Sequence, residues 1–161
     1  SVLDCTLGFG ADAIVASYAV GPEGRVTGIE SRSLIEAVVG RGLAHFNGDS
    51  PYILEAMRRV KTVCDDALHY LQGQADDSVD VIYFDPMFRH PFMDSTSLDP
   101  LRTVADKRAL NPETVAEACR VARHRVVMKE SSRSEEFARL GFIQTAGGKY
   151  SNVHYGVIAI D

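Results

Sequence analysis

One turn constrains this chain more than any other feature. Val2, Leu3, Asp4 and Cys5 read as a short apolar strand, Thr6 to Gly10 as a turn holding Gly8 and Gly10, and residues 11–20 as the helix behind it. Glycines in a strand-to-helix turn allow backbone angles that a Cβ forbids and let a ligand come close to the main chain. The helix then aims its free amides and its positive dipole end at that ligand. A strand, a glycine turn and a helix in this order open a βαβ unit, and they point to a nucleotide-type cofactor.

The rest of the chain repeats the alternation. Strands are predicted over 25–30, 60–64, 79–84 and 125–128, and helices over 32–46, 51–59, 67–71, 111–122 and 134–140. Ser31 is the predicted N-cap of the second helix, and Pro51 suits the first turn of the third. Strands alternating with helices predict a parallel sheet covered on both faces, a Rossmann-like, doubly wound α/β fold. Two closing strands, 142–145 and 153–160, have no helix between them and should pair antiparallel. Residues 89–108 carry no clean period and read as a long loop of the kind that often binds or covers ligands.

At 161 residues the chain fits one domain. Its 45% hydrophobic and 24% charged residues are ordinary for a soluble globular protein, and no apolar run is long enough to span a bilayer. Cys5, Cys64 and Cys119 have neither metal-ligand nor disulfide spacing, which fits reduced thiols in the cytoplasm. The five histidines show no ligand spacing either, so no metal is expected. The net charge of −5 argues against broad electrostatic attraction to nucleic acid, so an RNA partner would need a local basic patch or a further segment. The chain starts without Met, directly in a core strand, which leads us to expect a segment before it in the full protein.

Candidate site residues cluster where strands end. Asp4 lies at the first strand tip, where an unpaired acid is costly to bury. Glu30 ends the second strand about 20 residues after the glycines, the spacing at which an acid meets ribose hydroxyls. Asp65 and Asp66 follow the third strand; one can accept from an exocyclic amine such as adenine's while the other caps the next helix. Asp85-Pro86-Met87-Phe88 follows the fourth strand and combines an acceptor, a rigid turn and an aromatic ring, a set that can grip a planar amino-bearing base. Lys129 ends the fifth strand and is a candidate phosphate contact, whereas Lys107 and Arg108 read as solvated charges. His90 could touch substrate by position alone, and Gly156 marks a bulge or close approach in the last strand.

Together, Asp4-x-Thr6-x-Gly8-x-Gly10-x-Asp12, Asp85 to Phe88, Val126 to Lys129 and the closing strand pair resemble class I S-adenosylmethionine-dependent methyltransferases, nearest to the bacterial family that methylates guanine N2 in small-subunit ribosomal RNA. The resemblance implies a seven-stranded, mostly parallel sheet with an antiparallel last strand, in a single methyltransferase domain over residues 1–161. It implies S-adenosylmethionine as cofactor, held by Asp4, Thr6, Gly8, Gly10, Asp12, Glu30 and one of Asp65 and Asp66. It implies Asp85 and Phe88 at the transfer site, with Pro86, Met87 and Lys129 toward the acceptor. Met87 stands where amino methyltransferases often have a second proline, and residues 89–94 are less basic than in the RNA-modifying family. The same glycines and Glu30 also suit a nicotinamide-dependent oxidoreductase, and the acidic balance suits a small-molecule or protein acceptor. A non-catalytic module with this fold is the third reading.

Overall fold

The computed structural model describes residues 1–86, 106, 108–148 and 151–161. Met87, Phe88, His90 and Lys107, and nearly all of the expected loop, lie outside them. The described elements are β1 (Val2–Asp4), α1 (Ala11–Val20), β2 (Val26–Glu30), α2 (Ser33–His45), α3 (Pro51–Arg59), β3 (Val60–Cys64), α4 (Ala67–Gln72), β4 (Val79–Phe84), α5 (Pro112–Val121), β5 (Ala122–Ser131), α6 (Glu136–Leu140), β6 (Ile143–Ala146) and β7 (Val153–Ala159).

The strands form one mixed sheet in the order β3-β2-β1-β4-β5-β7-β6. β1 pairs parallel with β2 on one side and β4 on the other. The order therefore reverses at β1, which puts a crevice beyond the carboxyl ends of β1 and β4. β7 runs antiparallel to both β5 and β6.

Strand residues of opposite faces feed two separate cores, with β1, β2 and β3 contributing to both. Val26 and Val60 pack with Ala13, Ile35, Val39 and Leu43 beneath α1 to α3. Leu3, Ile29, Ile82, Phe84, Val126 and Met128 pack with Leu71, Val115, Ala118 and Phe137 beneath α4 to α6. Ile82, Phe84, Val126 and Met128 are fully buried, each worth roughly 1.5–3 kcal/mol of transfer free energy.

Local signals explain most boundaries. Pro51 opens α3, and the Asn111 carboxamide caps α5 by accepting from Thr114 N at 2.8 Å. Three expectations need correction. Ser31 is not the cap of α2: Arg32 is, and its amide donates to the Glu30 carboxylate at 2.9 Å while the Ser31 hydroxyl donates to Asp106 at 3.1 Å. β5 is longer than residues 125–128 because β4 and β7 pair with it on both sides, carrying polar Arg123 and His124 into the strand. α6 begins at Glu136 rather than Ser134, whose hydroxyl accepts from Glu136 N at 3.2 Å. Gly156 marks a close approach, since a Cβ there would sit 2.5 Å from the Phe137 ring and 2.8 Å from Phe142 Cβ.

Candidate active site

The glycine turn is tied to the neighbouring strand by a single acid. Gly8 and Gly10 both have positive φ, 50° and 77°, which folds the chain back so that Gly8 N donates to Glu30 Oε2 at 3.1 Å. The other Glu30 oxygen holds Arg32 N. One buried carboxylate thereby fixes the turn after β1 and the start of α2, while its remaining lone pairs can accept further bonds.

Asp4 Oδ1 accepts from Thr6 N at 3.0 Å and from the Thr6 hydroxyl at 3.3 Å. That hydroxyl in turn accepts from Asp85 N at 2.6 Å. The backbone at the end of β4 is thus fastened to the end of β1 through Thr6. Burial pushes the Asp4 carboxyl up to about 7, and the negative charges of Asp12 and Asp85 add to the rise.

A four-group cluster closes this end of the site. Lys129 Nζ donates to Asp12 Oδ2 at 2.9 Å and to Asp85 Oδ2 at 2.8 Å, and the Tyr83 hydroxyl donates to Asp12 Oδ2 at 2.9 Å. Burial alone would depress the Lys129 ammonium, but the two carboxylates raise it above its ordinary value. Burial also lifts the Asp85 carboxyl to about 6, although Lys129 opposes the shift. Asp12 stays below the usual carboxylate range because Lys129 and Tyr83 outweigh its burial.

Asp4, Asp12, Asp85 and Lys129 line a crevice of about 460 Å³ with Thr6, Gly8, Glu30, Asp66 and Pro86. Its apolar wall includes Cys5, Leu7, Ile29, Ala67, Leu68 and Leu110, a surface suited to a flat ring. Among its described lining residues are six carboxylates (Asp4, Asp12, Glu30, Asp66, Asp85, Asp106) and two cations, Arg108 and Lys129. The excess of acid favours a ligand that carries positive charge. A sulfonium with an amino-acid ammonium is such a ligand, and its adenosine matches the apolar wall and the acid at the tip of β2.

The structure therefore gathers Asp4, Thr6, Gly8, Asp12, Glu30, Asp66, Asp85, Pro86 and Lys129 into one place. Two residues expected there do not line the crevice. Gly10 instead supplies the left-handed N-cap of α1 and packs over Val39 and Leu43. Asp65 binds His69 Nδ1 at 2.8 Å and its neighbour's amide. Asp66 both caps α4, accepting from Leu68 N at 3.0 Å, and faces the crevice. Lys129 is committed to two internal carboxylates rather than left for a phosphate.

Sequence reasoning missed the mouth of the crevice. Arg108 donates to Asp66 Oδ2 at 2.7 Å and to Asp106, which holds Ser31. This bridge joins residues about 40 to 75 positions apart, so no local pattern announces it. Among the described residues no His, Cys, Asp and Glu group has metal-holding geometry, and no helix is long and apolar enough to cross a membrane.

Comparison with known proteins gives consistent findings. A family model described as "Putative SAM-dependent methyltransferase" matches residues 1–144. Protein YpiP of Bacillus subtilis is 42% identical over 156 residues, which cover 97% of this chain and 60% of that protein. Ribosomal RNA small subunit methyltransferase J of Hydrogenovibrio crunogenus is 32% identical over 168 aligned positions, covering 99% of this chain and 58% of that one. The crystal structure of a SAM-dependent methyltransferase from Neisseria gonorrhoeae shares the fold at 19% identity, with a TM-score of 0.65 over 99% of this chain and 61% of that chain. One from Aquifex aeolicus does so at 15% identity, with a TM-score of 0.61 over 98% of this chain and 80% of its own. The chain thus spans about 60% of the length of these two curated relatives.

Proposed function

This chain belongs to the S-adenosylmethionine-dependent methyltransferase family, and from that premise we propose that it methylates an exocyclic amino nitrogen, guanine N2 of small-subunit ribosomal RNA, in the cytoplasm. Residues 1–161 constitute one methyltransferase domain in this reading. The observation that carries it is the position of Asp85, which lines the same crevice as Gly8 and Glu30 at the switch point of the sheet. The relatives named ribosomal RNA small subunit methyltransferase J favour the ribosomal acceptor.

S-adenosylmethionine, when bound, supplies an electrophilic methyl group on a sulfonium. The chain's own residues do the rest. Glu30 accepts from the ribose, Asp66 and the wall of Ile29, Ala67 and Leu68 hold the adenine, and the acids at the tips of β1 and β4 favour the cationic end. Asp85 accepts from the acceptor amine, aligns its lone pair and stabilises the positive charge that grows on nitrogen. Pro86 lines the crevice on the acceptor side of Asp85; the stacking role proposed for Phe88 and the acceptor contact proposed for Met87 fall outside the described residues. Alignment of this kind supplies roughly 7–11 kcal/mol in favourable systems. A base drawn from a helix must also be flipped, at a few kcal/mol.

The test is to incubate the purified protein with methyl-labelled S-adenosylmethionine and small ribosomal subunits from a strain lacking the gene, then digest the RNA to nucleosides. The expected result is label in N2-methylguanosine. Label in a protein or metabolite fraction instead would replace the acceptor while keeping the reaction.

A further inference from the structure

Lys129 holds a position that the methyl-transfer chemistry outlined above leaves unexplained. Its side chain is mostly covered, and its ammonium lies between two carboxylates from different elements, Asp12 in the first turn of α1 and Asp85 just beyond β4. Both carboxylates reach the same nitrogen through Oδ2, at 2.9 and 2.8 Å. They are therefore close neighbours of like charge, and Asp4 below adds a third acid. Two carboxylates that share a site do not both stay ionised without a cation between them. The Tyr83 hydroxyl also donates to that Asp12 oxygen, at 2.9 Å.

We propose that Lys129 is a positioning residue: its ammonium clamps the head of the cofactor helix to the acceptor turn and holds Asp85 as an aligned carboxylate facing the incoming amine. The inference rests on the methyl-transfer reading of the same crevice. It replaces the phosphate contact that the sequence suggests for Lys129. The clamp explains why a lysine sits in an otherwise acidic pocket end. It leaves net negative charge for the cationic cofactor while opposing the proton uptake that burial favours at Asp85. The groups that face Asp85 are Asp4 from β1, Asp12 from α1, Tyr83 from β4 and Lys129 from β5, with Tyr155 of β7 acting on Tyr83.

The experiment is carbon-13 NMR of protein labelled at aspartate carboxyls, with the Asp85 signal assigned by its loss in Asp85→Asn. Wild type should show Asp85 titrating near 6. Lys129→Met should move that titration up by about one to three pH units, the effect of removing an adjacent opposite charge, and Lys129→Arg should leave it near wild type. Asp12→Asn should move it the other way, because the like charge is gone, and it serves if Lys129→Met does not fold. An Asp85 titration unchanged in Lys129→Met, or in Asp12→Asn, overturns the clamp. Calorimetric titration of wild type with S-adenosylmethionine is run alongside. Failure to bind there sinks the methyl-transfer reading, while the carboxyl titrations stand or fall separately.

Discussion

Asp85→Ala should lower single-turnover methyl transfer by about two to three orders of magnitude while weakening S-adenosylmethionine binding far less, through the loss of one of several acids near its cationic end. That range is what deletion of one preorganised group facing developing charge produces. The backbone consequence is small, because the bond from Asp85 N to the Thr6 hydroxyl does not involve the side chain. The turn after β4 therefore keeps its place, and Lys129 retains Asp12. The same residue sets a pH dependence. Asp85 stabilises the positive charge growing on nitrogen only as a carboxylate, and burial raises its carboxyl to about 6. Transfer should thus be lost as pH falls through about 6 and should level off above it. Rapid-quench measurement on wild type and variant checks both points, and equal rates at neutral pH would remove Asp85 from the chemistry.

The second large effect is expected at Glu30, and it falls on binding. Its carboxylate holds the amides of Gly8 and Arg32 and is 8% exposed. Glu30→Ala removes the acceptor proposed for the ribose and frees the glycine turn at the same time. Hydrogen bonds to a charged group contribute about 1.5–3 kcal/mol, so cofactor affinity should weaken about 10- to 150-fold. Glu30→Gln keeps one carbonyl acceptor and should lose less. Calorimetry orders the three proteins; an alanine variant that binds like wild type would place the ribose elsewhere.

Elements with local causes were legible in the chain. β4 is a β-branched and aromatic run ended by Asp85-Pro86, and α1 follows directly from two glycines, so both match expectation residue for residue. The start of α5 at Asn111-Pro112 is likewise a local signal, and Asn111 caps it by accepting from Thr114 N. The site was legible as a set of acids at strand tips, because a parallel sheet carries every such tip to one edge. Pairings across that edge were not legible. Lys129 meets Asp12 over 117 positions and Asp85 over 44, and Arg108 meets Asp66 over 42. Arg108 reads as a solvated charge and Lys129 as a phosphate contact until the fold brings acids to them. The choice between Asp65 and Asp66 had the same cause: both can cap, and only the direction of α4 decides which one faces inward.

The most direct test is a crystal structure with S-adenosylhomocysteine. The account expects its adenine against Ile29, Ala67 and Leu68, its ribose hydroxyls on Glu30, and its sulfur beside Asp85 and Pro86. Ligand density outside the crevice shared by Gly8 and Glu30, or an Asp85 carboxylate turned away from the sulfur, would contradict it.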